Sequence, residues 1–206
     1  MHTPTLIIVA GCNGSGKSTF SKTYIQGIKP FDYDKRYLEI YHSLPDSELK
    51  DMFAKNKTTK EFESSIYGAF SNREDFCYET NFDNHPIDYV ITAIEKGYQV
   101  HLHFYCLDDI ELAKERVSIR TVNQGHFVPN NTIEYKWKEG YRNLNLYYNI
   151  FDYILLIDNS YHLKTPTNLF SLSKVSHDSY AVEKYSENIP EYSKRRFPDI
   201  YKFIAR

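Results

Sequence analysis

The chain has 206 residues, of which 41% are hydrophobic and 25% charged. That length and balance suit one medium-sized domain with its own core and exclude disordered, collagen-like and coiled-coil classes. The formal net charge of -2 lacks the basic excess that marks binders of nucleic acid or anionic membranes, so neither partner is expected.

Thr5–Ala10 is a short, β-branched apolar run followed by glycine, which reads as a central strand covered on both faces. A helix is predicted from about Lys17 to Gly27, with Pro30 beyond its end. Further strands are expected at Asp75–Glu79, Tyr98–Cys106 and Tyr153–Ile157. The segments between them read as helices at Pro45–Lys55, Thr59–Ser71, Ile87–Lys96, Asp109–Val122 and Asn131–Ile150. In the last helix Ile133, Trp137, Tyr141, Leu144, Tyr148 and Phe151 form one apolar stripe, weakened but not cancelled by Gly140. This alternation predicts an α/β fold whose mostly parallel central sheet is flanked by helices. The core is expected over residues 1–160. The stretch 161–206, with Pro166, Pro190 and a Lys194-Arg-Arg196 step, reads as a C-terminal appendage of the same domain or a loosely packed tail.

Three cysteines, Cys12, Cys77 and Cys106, are an odd number without CxxC spacing. Neither a disulfide framework nor a zinc knuckle is expected, and a reducing cytoplasm fits best. The apolar runs are far below a membrane span, and no export signal is visible.

Gly11-Cys-Asn-Gly-Ser-Gly-Lys-Ser18 satisfies GxxxxGK[ST] between the first strand and the first helix. Glycines there let backbone N–H groups turn towards a polyphosphate, and the helix directs its N-terminal partial charge at the same place. Gly11, Asn13, Gly14, Ser15, Gly16, Lys17, Ser18 and Thr19 are therefore the candidate ATP contacts. Lys17 would bridge the β- and γ-phosphates, and Ser18 would ligate Mg2+.

Phosphoryl transfer also needs cations around the moving group and an acceptor for the hydroxyl proton. Asp32 and Asp34 occupy alternate positions of a short segment that, if extended, points both the same way. Asp34 is the first candidate for the base; a helix cap is the alternative. Glu79 ends a strand at the edge where parallel sheets bind ligands, and could serve the Mg2+ shell or the acceptor, or simply a helix entry. Arg116 and Arg120 share a helical face and could close over a triphosphate, or pair with surface acids. His126 reads as a turn-fixing residue, and His101 and His103 as packed or edge histidines without metal partners. Asp158-Asn159-Ser160 either touches the adenine or turns the chain. Tyr135–Arg142 interleaves bases and aromatics, but Trp137 and Tyr141 belong to the apolar stripe, so a core-facing helix explains it better than a nucleic-acid surface. Between Lys114 and Arg142 six basic residues face three acids, a local cationic region inside a chain of net charge -2.

Taken in order, the phosphate loop, Phe31-Asp-Tyr-Asp34, Phe76-Cys-Tyr-Glu-Thr80, Lys96-Gly-Tyr-Gln-Val100, Arg116-Val-Ser-Ile-Arg120, Gln124-Gly-His-Phe-Val-Pro129, Asn143-Leu144 and Ile157-Asp-Asn-Ser160 resemble the zeta toxin family of P-loop kinases. The resemblance covers about Leu6 to Ser160. It implies an adenylate-kinase-like fold with a helical lid, and ATP- and Mg2+-dependent phosphorylation of UDP-N-acetylglucosamine on its amino sugar. It further implies Asp34 as general base, Arg116 and Arg120 on the lid helix, Glu79 and Thr80 in the sugar-nucleotide pocket, and a possible antitoxin partner. Two positions depart from the family pattern. Thr80-Asn81 replaces paired threonines, and Tyr135-Lys136 replaces paired arginines, so Lys136 keeps a charge near the substrate without a bidentate fork. Two alternatives stay open: a kinase of another small acceptor, and a nucleotide-binding module with little turnover.

Overall fold

The computed structural model of the protein describes residues 2–24, 27–122, 127–161, 164–176 and 179–205. Strand β1 (Thr5–Ala10) is central, flanked in parallel by β2 (Phe76–Thr80) and β3 (Gln99–Cys106), and β4 (Tyr153–Asp158) continues the parallel sheet beside β3. Two antiparallel strands, β5 (Thr167–Ser176) and β6 (Ser179–Lys184), complete the order β2-β1-β3-β4-β5-β6. Phe31 adds a single parallel bridge to Tyr78 on the outer side of β2. The mixed sheet, four strands of it parallel, is the expected architecture.

Among the described residues the strands are joined by α1 (Lys17–Tyr24), α2 (Tyr33–Ser43), α3 (Lys50–Asn72), α4 (Asp88–Glu95), α5 (Ile110–Val122) and α6 (Asn130–Tyr147), and α7 (Tyr192–Arg196) and α8 (Pro198–Tyr201) follow the last strand. Coverage of the two sheet faces is unequal. Leu6, Ile8, Leu102, Phe104, Ile154 and Leu156 face one side, where α3, α4, α5, α6 and the C-terminal helices pack against them in one large core. Ile7, Val9, Tyr105, Leu155 and Ile157 face the other, with Phe20 and Ile28 against them. Two covered faces are the reason β1 and β4 read as unbroken apolar runs.

Three expectations are revised. The helices expected at Pro45–Lys55 and Thr59–Ser71 are one helix, α3, starting at Lys50. Ala54, Thr58, Phe62 and Ile66 recur every fourth residue on its buried face. Thr58, in the gap between the two expected helices, is buried, and its hydroxyl donates to the Ala54 carbonyl at 2.7 Å. Secondly, Asp32 and Asp34 do not alternate along an extended segment. Asp32 is the N-cap of α2, with φ -95° and ψ 102°, and accepts from the Lys35 N–H at 3.0 Å; its capping strength outweighs the β-character of the preceding Phe31. Thirdly, the stretch beyond Ser160 is not loosely packed. Leu169, Phe170 and Leu172 of β5 and Tyr192, Phe197, Ile200 and Ile204 are buried in the main core.

Gly140 sits where α6 passes the loop after β2: a Cβ there would lie 3.1 Å from the Asn81 carbonyl oxygen. One turn on, Asn143 is buried and donates from Nδ2 to the carbonyls of Phe82 and Asp83, at 2.9 and 2.6 Å. Together they clamp that loop at the sheet edge. Gln124-Gly-His126 lies outside the described residues.

His103 faces the thinner side of the sheet, 7% exposed, with its ring 6.0 Å from that of Tyr153 and no hydrogen-bond partner for Nδ1 among the described residues. Burial, reinforced by neighbouring His101, pushes its pKa down from 6.5 to about 4. The folded state thus refuses a proton that the unfolded chain accepts, so stability is lost as pH falls from 6.5 towards 4, by on the order of 3 kcal/mol at the limit. Urea unfolding at pH 7 and pH 4.5 should show a smaller acid loss in His103→Leu than in the wild type; equal losses would remove His103 as the cause.

Candidate active site

The C-terminal edge of the parallel strands opens into a cleft of about 1200 Å3. Its floor is the loop between β1 and α1. Asn13, Gly14, Gly16, Lys17, Ser18 and Thr19 line the cleft, whereas Gly11 and Ser15 lie beneath it and are buried. All four candidate acceptor contacts, Asp32, Glu79, Thr80 and Lys136, also line it, as do Asp34, Arg116 and Arg120. The structure therefore gathers residues 11–136 of the sequence around one cavity at a strand edge.

The loop's glycines are required by packing inside the protein. Gly14 has φ +82°, and a Cβ on it would lie 2.5 Å from the Ala113 carbonyl oxygen. Gly16 has φ +93°, and its Cβ would meet Asn159 Nδ2 at 2.3 Å. The loop is thus pressed against α5 and the end of β4, a reason beyond room for phosphate oxygens. Behind it, Asn159 is buried and donates from Nδ2 to the Ser15 carbonyl at 2.8 Å.

Lys17 Nζ donates to the carbonyls of Gly11 and Cys12 and, at 3.4 Å, to Asn81 Oδ1. Burial pulls its pKa below the usual lysine range, and the charges of Glu79, Cys12 and Asp34 pull the other way. Ser18 donates its hydroxyl to Glu79 Oε2, and Ser21 donates to Oε1 at 3.2 Å. Burial raises the Glu79 pKa despite the Ser18 bond, and Asp32 adds to the rise. Asp34 stands in the first turn of α2, its Oδ2 accepting from Asn13 Nδ2 at 3.4 Å, which puts this carboxylate beside the phosphate loop. Phe31 brings it there: its N–H donates to the Cys77 carbonyl and its own carbonyl accepts from Glu79 N, so Asp32, Asp34 and Glu79 reach one edge.

Arg116, expected to close over a triphosphate or to pair with surface acids, is engaged by backbone carbonyls. Its guanidinium donates to the carbonyls of Asn159 at 2.9 Å, Tyr161 at 3.0 Å and Gly14 at 3.4 Å, bracing the phosphate loop against the end of β4. Burial lowers its pKa. Thr80 accepts from the Phe82 N–H at 3.0 Å through its hydroxyl, forming the turn that leaves β2. Of the Asp158-Asn159-Ser160 step, Asp158 bonds within the protein, while Asn159 both braces the loop and lines the cleft. Sequence reasoning missed Asn81 as a partner of Lys17 and the aromatic wall of Tyr33, Phe62, Tyr78 and Tyr89 beside the carboxylates. The wall's letters are scattered over four elements, so no local pattern exposes it.

The donor set fits a polyphosphate with a divalent cation. The first turn of α1 presents N–H groups without intrahelical acceptors, Lys17 supplies a half-buried cation, and the Ser18 hydroxyl and Glu79 carboxylate supply hard oxygens. Among the described residues no group of three or more His, Cys, Asp or Glu side chains could hold a metal alone. No helix among them is long and apolar enough to cross a membrane.

A strand, this loop, a helix and a carboxylate-lined cleft at the sheet's C-terminal edge define a P-loop kinase fold. Comparison with known proteins narrows the class. Residues 1–149 match the zeta toxin family, and the chain belongs to it. An uncharacterized protein of Haemophilus influenzae is 26% identical over 132 residues, 64% of this chain and 91% of that one. Among solved structures, the PezAT chromosomal toxin-antitoxin system of Streptococcus pneumoniae shares the fold at 20% identity and a TM-score of 0.59, covering 76% of this chain and 69% of that one. A chain of the Pnkp1/Rnl/Hen1 RNA repair complex does so at 22% identity and a TM-score of 0.56. The match covers 71% of this protein but only 47% of that chain.

Gly14→Ala should destabilise the protein by about 2 kcal/mol or more even without nucleotide, because it strains a positive φ and forces a backbone clash. Denaturant unfolding of the nucleotide-free protein checks this; unchanged stability would mean that the glycine serves the ligand alone.

Proposed function

We propose that the protein is an ATP- and Mg2+-dependent kinase that phosphorylates a sugar hydroxyl of UDP-N-acetylglucosamine. One observation carries the reading: the Asp34 carboxylate stands beside the phosphate loop on the wall of the same cleft, its Oδ2 accepting from Asn13 Nδ2 at 3.4 Å. A base and a phosphate cradle thus border one space in which an acceptor would sit.

ATP supplies the phosphoryl group, and Mg2+ neutralises charge on its phosphates when bound at Ser18. Lys17 exchanges the loop carbonyls for phosphate oxygens, a favourable trade for a half-buried cation. Asp34 orients the acceptor hydroxyl and takes its proton as the bond to phosphorus forms. Arg120 and Lys136 line the cleft and add positive charge, while Arg116 holds the loop in shape. Glu79 and Thr80, with Asp32, define the acceptor end, where the aromatic wall offers flat surfaces to a base or sugar.

Asn81 favours a second reading. It stands where the family has a threonine and touches the phosphate lysine at 3.4 Å, so this substitution acts at the reacting centre and supports a shifted choice of small acceptor. The resemblance to the PezAT toxin supports a separate antitoxin polypeptide as partner. The three cysteines are free and buried, which agrees with a reducing cytoplasm.

Incubation with ATP, Mg2+ and UDP-N-acetylglucosamine, read by mass spectrometry, should show one added phosphate. Lys17→Ala and Asp34→Ala should each slow transfer by about a hundredfold or more. Transfer only to other members of a panel of nucleosides, nucleotides and sugars would establish the second reading. Full turnover in Asp34→Ala would remove that residue's role, and ATP binding without transfer to any acceptor would overturn the kinase assignment.

A further inference from the structure

The nucleotide site is finished by a part of the chain that lies outside the family match, which ends at residue 149. The last helices bury Tyr192, and its hydroxyl donates to Asp158 Oδ1 at 2.7 Å. The same carboxylate oxygen accepts from Ser160 N at 3.1 Å and from the Ser160 hydroxyl. Ser160 Oγ in turn accepts from Asp108 N at 2.9 Å. Asp158 and Tyr192 are each 3% exposed, so their bond is shielded from water, where a hydrogen bond to a charged group is strongest. Burial, foremost, and nearby acidic groups raise the Tyr192 pKa far beyond the normal range, so the phenol remains a donor at every working pH.

This fixed turn has one consequence at the cleft. Between Asp158 and Ser160, Asn159 is held in place by its own N–H, which donates to the Cys106 carbonyl at 3.0 Å. From there its side chain reaches the Ser15 carbonyl of the phosphate loop, and its carbonyl receives Arg116. A continuous run of hydrogen bonds therefore leads from Tyr192, through the 158–160 turn, to both the loop and its arginine brace.

We infer that Tyr192 is a positioning residue for the nucleotide site, by which the C-terminal segment sets the shape of the phosphate loop. The inference rests on the ATP-binding reading given above. Tyr192 touches no reacting atom; it acts through Asp158 and Asn159. Its segment is anchored independently of the hydroxyl. The Arg196 guanidinium lies 3.9 Å over the Trp137 ring, Asn145 Nδ2 donates to the Arg196 carbonyl at 2.8 Å, and Phe197 and Ile200 are fully buried. Removing the hydroxyl alone thus leaves the helices docked.

The test compares Tyr192→Phe with Asn145→Ala, which loosens the attachment of the same segment without touching Asp158. Calorimetric titration with Mg2+ and a non-hydrolysable ATP analogue is paired with thermal melting of each full-length protein. Tyr192→Phe should bind the analogue about five- to tenfold more weakly, the effect of losing roughly one hydrogen bond. Asn145→Ala should melt at a lower temperature and bind like the wild type. Equal affinity of Tyr192→Phe and wild type would overturn the inference alone. So would parallel losses in both variants, since general loosening would then explain them. Failure of the wild type to bind the analogue would overturn the ATP reading and the inference with it.

Discussion

The structure depends on a single crowded junction where the ends of β1, β3 and β4 meet the start of α1. Asn159 sits at its centre, donating from its backbone to Cys106 and from its side chain to Ser15, and accepting Arg116. Gly16 has no Cβ because the Asn159 amide occupies that space, and Gly14 has none because the Ala113 backbone does. Backbone groups in such a loop cannot pair in a ladder, so buried side chains must satisfy them. The phosphate loop is consequently built as part of the core and is shaped before any ligand arrives, which is what preorganised charge stabilisation requires.

Around that junction charges of both signs converge. Lys17, Arg116, Arg120 and Lys136 contribute positive charge, and Asp32, Asp34 and Glu79 line the same cleft from the N-terminal end of α2 and the end of β2, with Asp34 bonded to Asn13 and Glu79 to Ser18. The overall charge of -2 conceals this clustering. A protein with so little net charge can still hold a polyanion where cations converge on a small enclosed volume. The carboxylates suit an acceptor that must give up a proton.

Much of this was legible in the letters. The loop motif, the apolar strands and the stripe on α6 are local patterns with direct physical causes, and their elements fall close to the expected bounds. The failures are of two kinds, local and long-range. Asp32 looked like half of an extended pair and is a helix cap bonded to the nearby Lys35 N–H, and the helices expected at Pro45–Lys55 and Thr59–Ser71 are one helix with Thr58 buried in it. Arg116 looked like a clamp over a triphosphate and is bound to carbonyls 43 and 102 residues away. Gly140 looked like a flaw in α6 and makes room for the loop after β2. The serine-rich stretch after Ser160 lacks strong periodicity, yet it carries β5 and β6 because β4 offers them an edge. Composition reports none of these pairings.

The central claim is that a nucleotide site exists here and that the Asn159 brace shapes it. The most direct measurement is the affinity of Asn159→Ala for Mg2+ and ATP, set beside the wild type at a temperature where both are folded. Micromolar-range binding is expected of the wild type and a loss of about tenfold or more in the variant, because Ser15 and the loop lose the side-chain tether from the turn that follows β4. Undiminished affinity in Asn159→Ala would contradict it.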